Sequence, residues 1–132
     1  MLVYRLEKNR EGIYSSGLII RLEMYKFYYD DFIYCPEPRH DKKLSWAYAE
    51  YFDSMKHFFG FESIEQLQKW FRIEDHRKIF SFEGVKLVVY EVDLQYVYRG
   101  NTQIFFEMDK ASKIENLEID WINTFVKEKE YA

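Results

Sequence analysis

Hydrophobic and polar positions alternate at the start of the chain. In residues 2–7 every second side chain is apolar and falls on one side, while Val3 and Arg5 fall on the other. A period of two residues is typical of a β-strand, whose successive side chains point to opposite faces. We therefore predict a first strand here. Residues 8–17 contain two glycines, two serines and an asparagine, a composition that predicts a loop.

The pattern then changes to helical spacing. Leucines and tyrosines recur at intervals of three and four over residues 18–34, although the many β-branched and aromatic residues of this stretch also permit a strand. We favour a helix. Pro36 and Pro38 end it, because each proline lacks a backbone donor and disfavours helical backbone in the residue before it.

A further amphipathic helix is predicted between Asp41 and Gly60. Asp41 is its candidate N-cap and Gly60 its candidate end. The apolar side chains of this stretch recur at steps of three and four, which places them on one helix face. They are Leu44, Ala47, Tyr48, Tyr51, Met55 and Phe58.

The clearest local signal is a helix start at Ser63. Ser63 and Gln66 match the capping box, and Phe61 can pack over Leu67 as a hydrophobic staple. The apolar face of this helix consists of Ile64, Leu67, Trp70 and Phe71. A short helix over residues 74–80 is predicted to follow.

The second half of the chain is rich in strand patterns. Residues 85–92 carry β-branched and aromatic side chains and predict a strand that is buried on at least one face. Three short strands are predicted after it, joined as an antiparallel meander with a turn at Gly100 and Asn101. They cover residues 96–98, 103–107 and 113–119. A last helix is predicted from Asp120, with an inward face of Trp121, Ile122, Phe125 and Val126.

These elements predict an α+β fold. Helices of the first half would pack on a mostly antiparallel sheet formed by the N-terminal strand and the C-terminal half. A length of 132 residues, with no internal repeat and no low-complexity linker, predicts a single domain over residues 1–132.

Composition narrows the classes of function. A net charge of −4 disfavours a protein that works by neutralising a phosphate backbone, so nucleic acid is not the expected partner. The single cysteine, Cys35, cannot form an internal disulfide, which fits a reducing cytoplasm. We also expect no signal peptide and no membrane span, because no apolar run is long enough.

Candidate chemistry is sparse. His40, His57 and His76 show no metal-binding spacing, so we expect no metal, and we place His57 and His76 within helices at the surface. A nucleophilic pair of Cys35 and His40 is conceivable from the sequence. We favour a buried free cysteine instead, because that is the ordinary role of the residue.

Three polar residues lie among predicted strands and helices. Arg5 needs a partner if it points inward, and we favour a structural ion pair over a ligand site. Ser63 is explained as an N-cap, and Gln103 as an edge-strand residue. The chain has neither a Walker-type phosphate loop nor a dinucleotide-binding glycine motif, and we expect no cofactor.

Several motifs together resemble a family of small accessory proteins of phages and bacteria. They are YRLE, GIYSSG, PEPRHD, GFESIEQLQKWF, VVYEV and TQIFFE, within residues 3–107. The resemblance implies an accessory protein of a mobile element, for which interference with a host system such as a CRISPR effector is a natural role.

A fainter similarity is to the ADP-ribosyltransferase-like fold. In that fold an arginine, a serine and a glutamate hold NAD, and Arg5, Ser63 and Gln103 occur here in the same order. The neutral Gln103 stands where the family has the glutamate, so it lacks the negative charge that stabilises the transition state. The similarity implies nucleotide binding more than transfer chemistry.

Two hypotheses of function follow. The first is a binding module that inhibits a host or defence protein by covering its surface, because aromatic residues, 20% of this chain, are enriched at interface hot spots. The alternative is a protein or enzyme that binds an NAD-like nucleotide through Arg5, Tyr14, Ser63 and Gln103. We expect binding rather than catalysis, and an exposed strand edge would support a homodimer.

Overall fold

The computed structural model describes residues 1–119. Its helices are α1 (Leu18–Arg21), α2 (Tyr25–Tyr28), α3 (Ser45–Tyr51), α4 (Ile64–Trp70) and α5 (Glu74–Phe82). Its strands are β1 (Leu2–Lys8), β2 (Glu11–Gly12), β3 (His57–Gly60), β4 (Lys86–Val92), β5 (Val97–Arg99), β6 (Ile104–Glu107) and β7 (Ala111–Glu118). The predicted α+β class is confirmed. The helix predicted from Asp120 lies outside the described residues.

The strands divide between two antiparallel sheets. The larger sheet has the order β2-β1-β4-β7 and the smaller sheet the order β3-β6-β5. The predicted meander is confirmed for β5 and β6, which pair antiparallel across the predicted turn, and is wrong for the last strand, because β7 pairs with β4. The other side of β6 pairs with β3. The strand β4 has consecutive buried residues from Leu87 to Tyr90, so both its faces are covered and it lies inside the larger sheet.

The larger sheet is covered on both faces. On one face, Leu6 and Leu87 pack with Leu67 of α4 and Phe80 of α5. On the other face, the core joins the larger sheet to β6 of the smaller sheet through five apolar side chains and one tyrosine. These residues are Val3, Val88, Tyr90, Val92, Ile104 and Phe106. The first strand therefore contributes to two cores through its alternating side chains.

The smaller sheet packs on the α3 region with its remaining face. The ring of Phe105 lies 5.4 Å from that of Phe52 and 6.4 Å from that of Tyr48, measured between centroids. Phe52 has extended backbone and ends α3. The helix predicted as far as Gly60 is therefore too long, because residues 57–60 pair with β6 as strand β3 instead.

Two local departures have conformational causes. The helix predicted over residues 18–34 is split into α1 and α2, since Glu23 between them has a left-handed backbone with φ 58°. The segment predicted as a loop begins with a hairpin, in which Lys8 pairs with Glu11 across Asn9 and Arg10. Both turn residues have positive φ, as the central residues of a type I′ turn do.

The predicted cap of α4 is confirmed. The Ser63 hydroxyl accepts a hydrogen bond from the Gln66 amide at 3.0 Å, and Gln66 Oε1 accepts one from the Glu62 amide at 2.9 Å. Phe61 and Leu67 belong to the same core, as the staple predicts. Within residues 1–119, no helix is long and apolar enough to cross a membrane.

Candidate functional site

A cleft of about 500 Å³ lies where the β1–β2 hairpin, β3 and the end of α4 meet. Its walls are mainly apolar and rich in aromatic rings. The aromatic lining consists of Tyr14, Phe52, Phe58, Phe59, Phe61, Trp70 and Phe71. The polar lining includes Arg5, Arg10, Glu11, His57 and Gln103. Apolar walls with a few polar groups are typical of sites for small molecules.

Arg5 is 7% exposed and lies on the face of β1 that is turned to the smaller sheet. Its Nε donates to Glu7 Oε2 at 2.8 Å, and its Nη1 donates to the Phe59 carbonyl at 2.5 Å. The guanidinium also lies 5.1 Å from the centre of the Phe58 ring. The structural ion pair predicted for Arg5 is therefore confirmed.

Tyr90 completes this buried network. Its hydroxyl donates to Glu7 Oε2 at 2.7 Å, so one carboxylate oxygen accepts from two side chains. Burial, and then the hydrogen bond to Glu7, raise the pKa of Tyr90 above its ordinary value. The phenol consequently remains a donor at neutral pH.

Tyr14 forms a wall of the cleft. Its hydroxyl accepts from Trp70 Nε1 at 2.8 Å and donates to the Tyr28 carbonyl at 3.2 Å. Burial raises the pKa of Tyr14, with a smaller contribution from Cys35. The Tyr14 hydroxyl thus already has hydrogen-bond partners within the protein, so the Tyr14 ring is the part that remains for contact with a ligand.

Gln103 immediately precedes β6, the central strand of the smaller sheet, so the edge-strand interpretation is wrong. It is buried, and its Nε2 donates to the Pro36 carbonyl at 3.0 Å. Arg5, Tyr14 and Gln103 line one cleft, as the nucleotide hypothesis requires. Ser63 does not line it, and its hydroxyl caps α4.

His57 is a site residue that sequence reasoning missed. The prediction placed it at the surface of a helix, but it is buried in β3 and lines the cleft. Its Nδ1 accepts from the Asp53 amide at 2.9 Å, so the neutral ring carries its hydrogen on Nε2. Burial, followed by the charge of Lys56, lowers the pKa of His57. The sequence indicated this strand only through the dense run of aromatic residues that follows His57, because aromatic residues favour strands.

The Cys35 thiol is not an activated nucleophile. It is buried and donates to the Trp70 carbonyl at 3.3 Å. Burial, and next the charge of Asp31, raise the pKa of Cys35 to about 12. His40 is exposed and lies beside Glu37, with 3.9 Å between Nδ1 and the carboxylate. The buried-cysteine interpretation is confirmed.

A second feature is a short exposed segment, residues 31–34, which we call the aromatic loop. Asp31 Oδ1 accepts from the amides of Ile33 and Tyr34, both at 3.0 Å. Its other oxygen, Oδ2, lies 2.8 Å from Arg72 Nη2, and the Arg72 guanidinium covers the Tyr34 ring at 4.4 Å. One carboxylate therefore holds both the backbone of the loop and the cation behind it.

The three large apolar side chains of the aromatic loop are exposed to solvent. Phe32 is 63% exposed and Ile33 81% exposed, and Tyr34 is also exposed. The preceding α2 region adds the exposed rings of Tyr25, Phe27 and Tyr29. Large apolar side chains so exposed within ten residues of one another are unusual for a surface without a partner.

Comparison with known proteins places the chain among phage proteins. A family model described as Bacteriophage T4 Y00F protein matches residues 1–120. No curated protein and no solved structure matches the chain.

Proposed function

The chain belongs to the Bacteriophage T4 Y00F protein family; we propose that it is a small phage accessory protein that binds and inhibits a host or defence protein. It acts in the host cytoplasm, in the manner of an anti-CRISPR protein, by covering a functional surface of its target. The observation that carries the proposal is the aromatic loop, residues 31–34.

The loop combines exposure with a fixed backbone. Exposed aromatic and aliphatic side chains are the usual anchors of an interface, since a few such residues carry most of the binding energy. Asp31 holds the backbone amides of Ile33 and Tyr34, so little conformational freedom is lost when the loop binds. A rigid loop with apolar side chains is therefore prepared for insertion into a pocket.

The net charge of the chain, −4, indicates the chemistry of the partner. Beside the loop itself the charges are mixed, with Asp30 exposed before it and the Arg72 guanidinium over the ring of Tyr34. The partner is a protein that presents an apolar pocket bordered by basic side chains, because opposite charge at the rim steers association. A phage inhibitor of a basic, nucleic-acid-binding host protein fits this description.

Site-specific cross-linking tests the proposal. A photoreactive residue replaces Ile33 in one variant and Phe82, which is 92% exposed at the end of α5, in the control. In host lysate we expect a defined host protein to cross-link from position 33 and not from position 82. Equal cross-linking from both positions, or none from position 33, would contradict the proposal.

Affinity for the captured protein provides the second arm. Phe32→Ser combined with Ile33→Ser should weaken binding at least tenfold, which is about 1.4 kcal/mol, while Phe82→Ser should not change it. The activity of the captured protein should fall in the presence of the wild-type chain. If binding survives the double substitution unchanged, another surface makes the contact.

A second candidate function is binding of an NAD-like nucleotide. The observation that favours it is the shared cleft of Arg5, Tyr14 and Gln103. Transfer chemistry is not favoured, because the neutral Gln103 amide already donates to Pro36. Calorimetric titration with NAD and ADP-ribose tests this candidate, and no heat with either would exclude it.

A further inference from the structure

The cleft between the β1–β2 hairpin and β3 contains two hydrogen-bond donors on buried side chains that the protein leaves unused. Arg5 Nε donates to the Glu7 carboxylate, and Arg5 Nη1 donates to the Phe59 carbonyl. Its Nη2 donates no hydrogen bond to any residue in the range 1–119. Nη2 is not among the buried side-chain atoms of residues 1–119 that lack a partner, so it reaches solvent, and the acceptor of a ligand could replace water there.

Gly12 locates this free donor at the wall of the cleft. A Cβ atom built on Gly12 would lie 3.1 Å from Arg5 Nη2, and Gly12 itself lines the cleft. The absence of a side chain at Gly12 is therefore what leaves space in front of Nη2. The φ angle of Gly12 is not positive, so its backbone conformation does not require glycine. Glycine matters here because it leaves Arg5 Nη2 open to a ligand.

His57 supplies the second donor. Its Nδ1 is occupied by the Asp53 amide, which leaves the hydrogen on Nε2. Across the described part of the chain, Nε2 makes no hydrogen bond. The ring is buried and lines the same cleft as Arg5. The His57 ring packs against Phe52 and Phe105, on the face of β3 opposite to Phe58, which contacts Arg5. The two side chains therefore line the cleft from opposite sides of β3, and each has a free nitrogen donor.

The charges inside the cleft differ from the charge at its opening. At depth, the positive charge of Arg5 is balanced by Glu7, and the His57 ring is neutral, so a neutral carbonyl oxygen suits these donors better than an anion. Arg10 lines the cleft from the hairpin turn and is exposed, so it can meet an anionic group in water. Between them lie aromatic walls that suit a planar ring.

We propose that this cleft binds a nucleoside monophosphate, with the base between the aromatic walls, a base carbonyl on Arg5, a second acceptor of the base on His57, and the phosphate at Arg10. The volume of about 500 Å³ lies within the range for small-ligand sites and suits one base, ribose and phosphate better than a dinucleotide. The inference assigns a mononucleotide to the cleft in place of the NAD-like dinucleotide of the second candidate function, and it is independent of the aromatic loop.

The test is titration of the whole chain, followed by NMR, with AMP, GMP, CMP and UMP, their nucleosides, inorganic phosphate and ADP-ribose. We expect at least one monophosphate with a carbonyl-bearing base to bind with a Kd on the order of 1 mM or tighter and to shift the amides of Gly12 and His57. Its nucleoside should bind more weakly, and phosphate alone should leave both amides unshifted.

Three substitutions separate the contacts. Gly12→Ala places a methyl group against Arg5 Nη2 and should weaken binding at least tenfold. His57→Asn retains an acceptor for the Asp53 amide, removes the Nε2 donor, and should weaken binding several-fold. Arg10→Gln should reduce the monophosphate to the affinity of its nucleoside. Phe82→Ser is the matched control on another surface and should leave the Kd unchanged.

The outcomes distinguish this inference from the proposed functions. If monophosphates bind and ADP-ribose does not, the inference stands and the NAD-like candidate fails. If ADP-ribose binds and no monophosphate does, the inference is overturned. It is also overturned if nothing shifts Gly12 and His57, or if Gly12→Ala and His57→Asn both bind like the wild type while still giving the spectrum of the folded chain. Cross-linking from position 33 depends on none of these results.

Discussion

The carboxylate of Glu7 lies 2.8 Å from the Nε atom of Arg5, and both side chains are buried between the two sheets. The residues are two positions apart on one strand, so they point to the same face. Their charges compensate each other in a place where either alone would be costly.

Removal of one partner should therefore be strongly destabilising. We expect Glu7→Gln to lower the free energy of unfolding by about 3–5 kcal/mol, because it leaves the buried Arg5 charge uncompensated. Urea denaturation measures the change. The control is Arg99→Gln, which breaks an exposed pair with Glu62 and should cost at most about 1 kcal/mol. Equal losses in the two variants would show that the buried network is not critical.

Asp41 should make stability depend on acid pH. Burial favours its neutral form, but hydrogen bonds from Asn101 and Thr102 outweigh burial and lower the pKa of the carboxyl. The stabilisation is then complete above the unfolded pKa of about 3.9 and is lost as the pH falls below it, through the lower pKa of the folded state.

Comparison with Asp41→Asn isolates this effect. Near neutral pH we expect the substitution to cost about 1.5–3 kcal/mol, the usual contribution of hydrogen bonds to a charged group. The difference between the two proteins should shrink below about pH 3.9, because only the wild type loses a charge there. Thermal unfolding across this pH range measures it, and a constant difference would disprove the assignment.

Gly100 should not tolerate a side chain. A Cβ at this position would lie 2.6 Å from both Asp41 Oδ2 and the Gln103 carbonyl. Because one of these atoms is backbone, we expect Gly100→Ala to cost about 1–3 kcal/mol in unfolding free energy. Gly17→Asn is the comparison: Gly17 has φ 74° and open space, so asparagine should cost less there. Chemical denaturation compares the two.

Cys35 should be almost unreactive in the folded chain. A thiol pKa of about 12 leaves about one thiolate in 10,000 at pH 8, against roughly one in four for an ordinary cysteine. We expect labelling by a disulfide reagent to be slower than in urea by about three orders of magnitude. Comparable rates in the two conditions would contradict the burial of this thiol.

The aromatic loop should loosen when Asp31 is removed. Asp31→Ala deletes the acceptor for the amides of Ile33 and Tyr34, and their hydrogen exchange should become about tenfold faster. Asp31→Asn retains an acceptor oxygen and should preserve most of this protection, although it loses the charge opposite Arg72. Exchange measured by NMR should rank Ala above Asn above the wild type.

Local sequence patterns determined several elements of this protein because the forces involved act within a few residues. The Ser63 cap depends on Gln66, three positions away, and the β-branched run of β4 has the backbone preference of a strand. The helical spacing after Asp41 was misleading, since pairing of β3 with β6 outweighs local propensity at His57 and Phe58.

For the candidate site too, the sequence determined some features and only the tertiary structure determined the others. The sequence by itself named Arg5, Tyr14, Ser63 and Gln103 as candidate ligand residues, and it placed the N-terminal strand that carries Arg5. Only the tertiary structure decided that Arg5, Tyr14 and Gln103 share a cleft, that His57 joins them and that Ser63 does not. The reason is physical: residues 5, 57 and 103 are brought together by packing of two sheets, and such contacts between distant segments leave no periodic pattern in the chain.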